Sequence, residues 1–230
     1  MKKALVILLA LMMVLSTAAC GSSSTTTAAT PAPTEAPAAE PAAEEAAPAA
    51  EAGETYTSDD TPVVNLYGEF TADSVQEGIL VTNIGQSADS ATMASLLKRA
   101  GAEYEENDLA TADDLAGYGT LIVVAGASSK GLGSGGNSQD EELARAESLL
   151  AAAKDANMTI ILAHLGGSGR RGNISDIFIE KVMDSADYML VVEDGNSDGY
   201  FTSYCEANNI PLTLVKSAKN ASDTVAELFA

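Results

Sequence analysis

Two adjacent arginines, Arg170 and Arg171, stand between Gly169 and Gly172 in a chain that is short of positive charge. Their planar guanidinium groups can bind a carboxylate or phosphate through paired hydrogen bonds. Flanking glycines would let backbone amides approach the same group. The pair indicates a site for a small anionic or polar ligand. The alternative is that both arginines pair with the protein's own carboxylates, such as Asp176 or Asp194.

A second candidate site segment is the glycine- and serine-rich loop expected at 126–137. It contains Lys130, its only basic residue, and the hydroxyl groups of Ser128 and Ser129. If the loops converge, these side chains would line one crevice with the two arginines. The alternative is that Lys130 is simply exposed to solvent on a loop.

The same loop contains a G-x-G-x-x-G string formed by Gly131, Gly133 and Gly136. A dinucleotide fingerprint follows its strand directly and delivers its glycines into a helix start. Here several residues intervene after the strand, and the next helix begins with acidic residues that would repel a pyrophosphate. We therefore predict no nucleotide cofactor.

The loop 83–89 is a third candidate segment. The run Thr-Asn-Ile-Gly-Gln-Ser at 82–87 resembles the phosphate loop of flavodoxins, with Ile84 replacing the middle hydroxyl residue. The first amides of the following helix could receive an oxyanion. The candidate ligand-binding side chains in this run are Asn83, Gln86 and Ser87. The missing hydroxyl and the absence of tryptophan argue against flavin, so no cofactor is predicted.

His164, the only histidine, ends a predicted strand and is the candidate catalytic residue, as a general base or as a hydrogen-bond donor to ligand. In an enzymatic hypothesis it acts with Asp194 or Ser168. The structural alternative is a buried histidine whose ring nitrogens are hydrogen-bonded within the protein. One histidine makes no metal site. Asn196 is a candidate ligand contact, but its surroundings lack the distal glutamate of a calcium loop. No metal is predicted.

These segments are spaced by alternating strands and helices. Hydrophobic runs predict strands one to six, and helical spacing and capping residues predict the helices between them. We expect helices after Ser87 and after a capping box of Ser138 with Glu141. An additional edge strand is expected near 62–67. The six strands are predicted at 79–82, 103–105, 120–125, 159–163, 188–192 and 211–215.

This alternation predicts an α/β fold, a three-layer, doubly wound and mainly parallel sheet of five to six strands, flavodoxin-like or Rossmann-like. We favour the flavodoxin-like order 2-1-3-4-5 with strand six at the edge over the order 3-2-1-4-5-6. In either order the candidate loops leave the carboxyl edge of the sheet, where ligands of such folds bind.

The amino terminus predicts export and lipidation. Residues 1–19 have a basic start and a short apolar core, as in a signal peptide. Small residues before Cys20 resemble the lipobox of bacterial lipoproteins, which implies that Cys20 is acylated, although an ordinary signal peptide is the alternative. Residues 20–60 are rich in Ala, Pro, Glu and Thr and are expected to be a disordered tether. A single domain is expected at 61–230.

The charge of the chain restricts its partners. It contains 12 basic and 33 acidic residues, for a net charge of −21. Nucleic acid is not expected as a partner, because a nucleic-acid-binding protein needs a basic surface. Electrostatic binding to an anionic membrane is disfavoured too, so a lipid on Cys20 would provide the attachment to the extracytoplasmic side of a bacterial membrane.

Three loop sequences together resemble those of an uncharacterised family of bacterial exported and lipid-anchored domains, known only as a domain of unknown function. They are Thr-Asn-Ile-Gly-Gln-Ser-Ala-Asp at 82–89, Thr-Leu-Ile-Val-Val-Ala-Gly-Ala-Ser-Ser-Lys-Gly-Leu-Gly at 120–133 and His-Leu-Gly-Gly-Ser-Gly-Arg-Arg-Gly at 164–172. The resemblance covers roughly 78–229. It implies one domain and no established activity.

The sequence thus favours a domain that binds a small anionic or polar ligand in a crevice formed by loops 83–89, 126–137, 164–173 and 194–198. Whether the protein is an enzyme is left open. The alternatives are a hydrolase or transferase that uses His164, and a module that binds another protein through its acidic surface.

Overall fold

The structure, a computed structural model, describes residues 64–230. The predicted signal peptide, the predicted acylation site at Cys20, the predicted tether and the first residues of the expected edge strand lie outside the described residues. Within residues 64–230, no helix has both the length and the apolar composition needed to cross a bilayer.

The described chain alternates between strands and helices in a mixed α/β fold. The strands are β1 (Val64–Leu66), β2 (Ile79–Ile84), β3 (Tyr104–Glu106), β4 (Thr120–Ala125), β5 (Thr159–His164), β6 (Tyr188–Val192) and β7 (Leu212–Val215). The helices are α1 (Ser90–Ala100), α2 (Ser129–Gly135), α3 (Gln139–Asp155), α4 (Asn173–Met183), α5 (Tyr200–Asn208) and α6 (Ala221–Phe229).

The strands form one sheet in the order β1-β7-β6-β5-β4-β2-β3. Strands β2 to β7 are parallel, and β1 pairs with β7 in the antiparallel direction. The six parallel strands, counted along the chain, therefore lie in the favoured order 2-1-3-4-5-6. The seventh strand, β1, lies at the edge and falls within the range 62–67, where an additional edge strand was expected. The strand order reverses between β2 and β4.

Two helical layers cover the sheet. Every residue of β2, β4, β5 and β6 is buried, as expected for strands with helices on both faces. One core cluster packs α3, α4 and α5 against one face, with Phe178 and Phe201 fully buried in it. The other packs α1 and α6 against the opposite face through side chains such as Met93 and Val225.

The helix ends show where local sequence signals were sufficient to predict the bounds of a helix. The Ser138–Glu141 capping box opens α3, as predicted, and Gly101 ends α1 in the left-handed conformation. The prediction that Ser87 caps α1 was wrong, because α1 begins at Ser90 and Asp89 holds the N-cap position. The chain cannot enter the helix at Ser87, since Gln86 has a φ of 58° and pairs with Ala127 in an isolated bridge.

The expectation of an open loop at 126–137 was also wrong, because this segment contains α2. Ser128 caps that helix by accepting a hydrogen bond from Gly131 N at 3.1 Å. Leu132, 7% exposed, anchors it in the core. The cap and one buried side chain outweigh the low helix propensity of the glycines.

Candidate functional site

Four loops lie side by side where the parallel strands end. The loops that follow β2 and β4 are joined by a hydrogen bond from Ser128 N to Gly85 O at 2.9 Å. The loops that follow β5 and β6 are joined by the Ser168 hydroxyl, which donates to Asp194 Oδ2 at 2.9 Å. The carboxyl edge of the sheet therefore brings the sequence-predicted segments together, as the parallel arrangement requires.

A buried carboxylate from α3 occupies the loop after β2. Glu142 has no exposed surface, and its Oε1 accepts hydrogen bonds from Gly85 N and Gln86 Nε2, each at 3.0 Å. Arg145 donates to both carboxylate oxygens, at 2.7 and 2.9 Å, and also to the backbone carbonyl of Asn83. Because Gly85 N already binds an internal oxyanion, it does not offer the open anion site that its loop sequence suggested.

The charge on Glu142 is set by these contacts. Burial raises the pKa of this carboxyl, but the hydrogen bonds from Arg145, Gln86 and Gly85 outweigh that effect and bring the pKa below its ordinary value. Glu142 therefore remains ionised at neutral pH. It acts as a permanent internal counter-ion for Arg145 and as an acceptor for the loop.

Glu142 was missed by the sequence reasoning, although its position carried a signal. Leu143, the first apolar residue after the capping box of α3, is only half-buried in the structure. The buried stripe of α3 begins instead at Glu142 and continues through Ala146 and Leu149 at helical spacing. An acidic residue on an apolar stripe, followed by Arg145 three positions later, is typical of a buried ion pair.

Arg170 extends toward the loop that precedes α1. Its Nε lies 3.3 Å from Asp89 Oδ2, and the two side chains are 20% and 14% exposed. The distance makes an ion pair, but Asp89 Oδ2 is buried and has no partner in hydrogen-bond geometry. Glycines border this pair: a Cβ at Gly166 would collide with the arginine side chain, and one at Gly126 would lie 3.3 Å from its Cβ.

Arg171 extends in a different direction, toward the loop after β6. Its Nε donates to Asp176 Oδ1 at 2.8 Å and its Nη2 to Asp198 Oδ2 at 3.1 Å, while Nη1 donates to a backbone carbonyl of that loop. The guanidinium carbon lies 4.0 Å from the ring centroid of Tyr200. Burial lowers the pKa of Arg171, but Asp176 and Asp198 outweigh this and raise it.

The two arginines therefore do not face a common hollow. The pairing with Asp176, considered from the sequence as the alternative, is the arrangement found for Arg171. Its contacts tie the start of α4 to the loop before α5, which is a structural role. Arg170 is the member of the pair that lies at the reversal of strand order.

His164 is fully buried at the end of β5. Its Nδ1 lies 3.0 Å from Ala125 O and its Nε2 lies 3.0 Å from Gly167 O, so both ring nitrogens face backbone carbonyls rather than Ser168 or Asp194. Burial is the main cause that lowers the pKa of His164, with the Arg171 charge adding to it. This environment is that of a structural histidine.

The residues of α2 differ in their surroundings. Ser128 is committed to the helix cap, whereas Ser129 and Lys130 are exposed. Lys130 makes no hydrogen bond or ion pair with any residue in the range 64–230. Among the predicted contacts, Ser129 and Lys130 are thus the polar groups of this loop that a ligand could still use.

Three other predicted ligand contacts fix local turns. Asn83 binds both backbone groups of Ser87, accepting from its N–H at 3.2 Å and donating to its carbonyl. Asn196 Oδ1 accepts from Phe201 N at 2.9 Å and from Thr202 N at 3.1 Å, which caps the first turn of α5. Asn83, Ser87 and Asn196 therefore hold the loops in shape.

Metal and cofactor binding find little support in the described part of the chain. Within 64–230, no group of three or more His, Cys, Asp or Glu side chains is placed to hold a metal ion. The glycines of the G-x-G-x-x-G string shape α2, which Gly136 ends with a φ of 74°. Cys205 is buried, and burial raises the pKa of its thiol to about 12, so it is not a ready nucleophile.

Solved structures with partial similarity include two proteins from Bacteroides. One, described as a proposed acylhydrolase from Bacteroides fragilis, is 14% identical, with a TM-score of 0.29 over 60% of this chain and 66% of the other. The other, a GDSL-like lipase from Bacteroides thetaiotaomicron, is 16% identical, with a TM-score of 0.28 over 60% and 67%. The chain thus spans about two thirds of each. At these values neither structure supports an assignment of activity.

Comparison with curated proteins gave no match. A family match covers residues 76–229, which includes all six parallel strands and every loop of the carboxyl edge. The same range contains the three loop sequences on which the resemblance to an uncharacterised family rested. The chain therefore belongs to the family DUF6305, a domain of unknown function.

Proposed function

We propose that this protein is a lipid-anchored, extracytoplasmic domain that binds a small anionic or polar ligand at Arg170, on the carboxyl edge of a flavodoxin-like sheet. The anchor rests on the lipobox-like sequence before Cys20. Cell fractionation tests the anchor: the intact protein is expected in the membrane fraction, and a Cys20→Ser variant is expected to be lost from it. If the Cys20→Ser variant is also found in the membrane fraction, the proposed lipid anchor is wrong.

One observation carries the binding proposal. Arg170 lies at the reversal of strand order, is one-fifth exposed and is held by Asp89 at 3.3 Å without hydrogen-bond geometry. Ligands of open α/β sheets bind at such a reversal. A ligand carboxylate or phosphate that replaces Asp89 can bind the planar guanidinium group through paired hydrogen bonds.

The surroundings restrict the ligand class. Arg171 and the Gly85 amide are already bound to internal carboxylates, so the binding site is smaller than the sequence suggested. The polar groups proposed to contact the ligand are Arg170, which is paired with Asp89, and the exposed Ser129 and Lys130 of the loop that follows β4. This set suits a molecule with one anionic group and a few hydroxyl or amide groups, rather than a dinucleotide.

Thermal unfolding in the presence of a panel of small carboxylates and phosphates tests the proposal. A ligand at about 100 times its Kd stabilises the folded state by about 2.7 kcal/mol. For a domain of this size this raises the Tm by about 5 to 11 °C. Arg170→Ala is expected to abolish the increase.

Lys181→Ala is the matched control, because it also removes one positive charge but breaks only a surface ion pair with Glu147. It is expected to keep the ligand-dependent increase in Tm. The proposal fails if no anion in the panel stabilises the intact protein, or if Arg170→Ala responds as the intact protein does.

The hydrolase or transferase alternative receives less support from the geometry. Ser168 donates to Asp194 at 2.9 Å, but neither ring nitrogen of His164 is directed to this pair. A relay from the serine through the histidine to the carboxylate is therefore not assembled. Turnover of p-nitrophenyl esters that disappears in His164→Ala, in a variant that remains folded, would restore this alternative.

A further inference from the structure

A cavity lies at the amino edge of the sheet, opposite the proposed anion site, where β6 and β7 begin. Its volume is about 360 Å³, within the range of small-molecule sites. Tyr188, the first residue of β6, and Thr213, in β7, contribute to its lining. No residue of the proposed anion site at Arg170 lines this cavity. Ligand binding in the cavity can therefore be tested separately from the proposed anion binding.

The cavity combines hydrogen-bonding groups with an aromatic wall. The Tyr188 side chain is 3% exposed, and Phe70 stacks on its ring with centroids 4.3 Å apart and an interplanar angle of 6°. The Thr213 hydroxyl donates to Asn65 Oδ1 at 2.6 Å. Burial raises the pKa of Tyr188 to about 12, so its hydroxyl stays protonated and neutral.

The charge of the lining has one sign. Among the residues that the structure describes, its charged members are Glu69 and Glu227, and none of these lining residues is a lysine or arginine. Glu227 lies in the last turn of α6, which contains no basic residue. A carboxylate is unfavourable there, because the carbonyl end of a helix is itself negative. A bound cation would relieve this repulsion.

The loop that carries Phe70 has an unusual backbone. Tyr67 has a φ of 60° and Gly68 a φ of 127°, so two successive residues adopt positive values. A bulky side chain rarely does so without support from its surroundings. This turn leads the chain out of β1 to the point where Phe70 covers Tyr188. Such outliers often accompany ligand contacts.

The geometry points to a binding site for a small organic ammonium ion at this edge. The carboxylates of Glu69 and Glu227 supply the counter-charge, and the Phe70 ring offers a face for a cation–π contact. Asn65 and Thr213 supply hydrogen-bonding oxygens for the ammonium group. An anion finds no positive partner among the lining side chains.

The test uses three probes with the same four-carbon skeleton on the full-length protein: 1,4-diaminobutane, 1,4-butanediol and succinate. Amide signals of residues 68–71 and of Thr213 are followed by NMR during each titration. The diamine is expected to shift these signals in a saturable way that weakens as salt is added. Succinate is expected to leave them unchanged, and the diol to bind at least about tenfold more weakly.

Glu227→Gln removes one exposed charge and is expected to weaken the diamine about fivefold. Glu206→Gln, an exposed acid outside the lining, is the control and is expected to bind as the intact protein does. The site is refuted if the diamine gives no saturable shift, if the diol binds equally well, or if Glu227→Gln has the affinity of the control. Each result is independent of any anion bound at Arg170.

Discussion

Glu142→Gln is expected to destabilise the domain strongly, because it removes the counter-ion of a buried arginine. Arg145 is 11% exposed and Glu142 is fully buried. Removing one partner of a buried ion pair costs about 3 to 5 kcal/mol, since the remaining charge stays buried without compensation. A typical domain has only about 5 to 15 kcal/mol of stability in total.

Urea unfolding of the full-length protein, followed by circular dichroism, measures this cost. For a domain of this size, a loss of about 3 to 5 kcal/mol corresponds to a decrease in Tm of about 6 to 20 °C. Glu147→Gln is the control on the same helix. It breaks an ion pair with Lys181 whose side chains are 59% and 35% exposed, so it is expected to cost less than about 1 kcal/mol.

The difference in unfolding free energy between Glu142→Gln and the intact protein should depend on pH. The folded state lowers the pKa of Glu142, so its stabilising effect is fully present above the ordinary value of 4.5 and decreases as the pH falls through the folded value. The difference should therefore shrink in acid. If Glu142→Gln is as stable as Glu147→Gln at neutral pH, the assignment of Glu142 as the ion that holds the β2 loop is wrong.

Two further predictions concern α2 and His164. Gly131→Ala should destabilise the domain, because its Cβ would collide with the backbone carbonyl of Gln86. Gly133→Ala has nothing within 4 Å of its Cβ and should stabilise the domain by about 0.5 to 1 kcal/mol. Changes in the urea midpoint that have the same sign in both variants would contradict this prediction. Burial lowers the pKa of His164, assisted by the Arg171 charge and opposed by Asp89. The unfolded chain therefore binds the additional proton, and the free energy of unfolding should fall as the pH drops from about 7.5 to about 5.5. This decrease should be absent in His164→Gln, and its persistence there would show that another group causes it.

The regular part of the fold could be predicted because each parallel strand is a short apolar run buried on both faces. The predicted bounds of β4 and β6 agree with the structure to the residue. The entry into α1 could not be predicted in this way. It depends on the isolated bridge between Gln86 and Ala127, a contact between segments about 40 residues apart in the chain.

Only some partners of the charged groups could be predicted, because acidic residues outnumber basic ones, 33 to 12. Arg171 had many candidate carboxylates, and it selects Asp176 five residues away and Asp198 27 residues away. Asp176 can be identified from the local sequence, because it lies in the first turn of α4, directly after the loop that contains Arg171. Asp198 is brought close only by the pairing of β5 with β6.

The internal carboxylates also indicate where a ligand can compete. Glu142 is fully buried and accepts hydrogen bonds from a backbone amide, an amide side chain and a guanidinium, so displacing it would leave several donors without partners. Asp89 is partly exposed and holds Arg170 through an ion pair that lacks hydrogen-bond geometry. A ligand carboxylate that replaced Asp89 would break fewer of the hydrogen bonds described above than one that replaced Glu142. This contrast makes Arg170, rather than the Gly85 loop, the expected point of anion recognition.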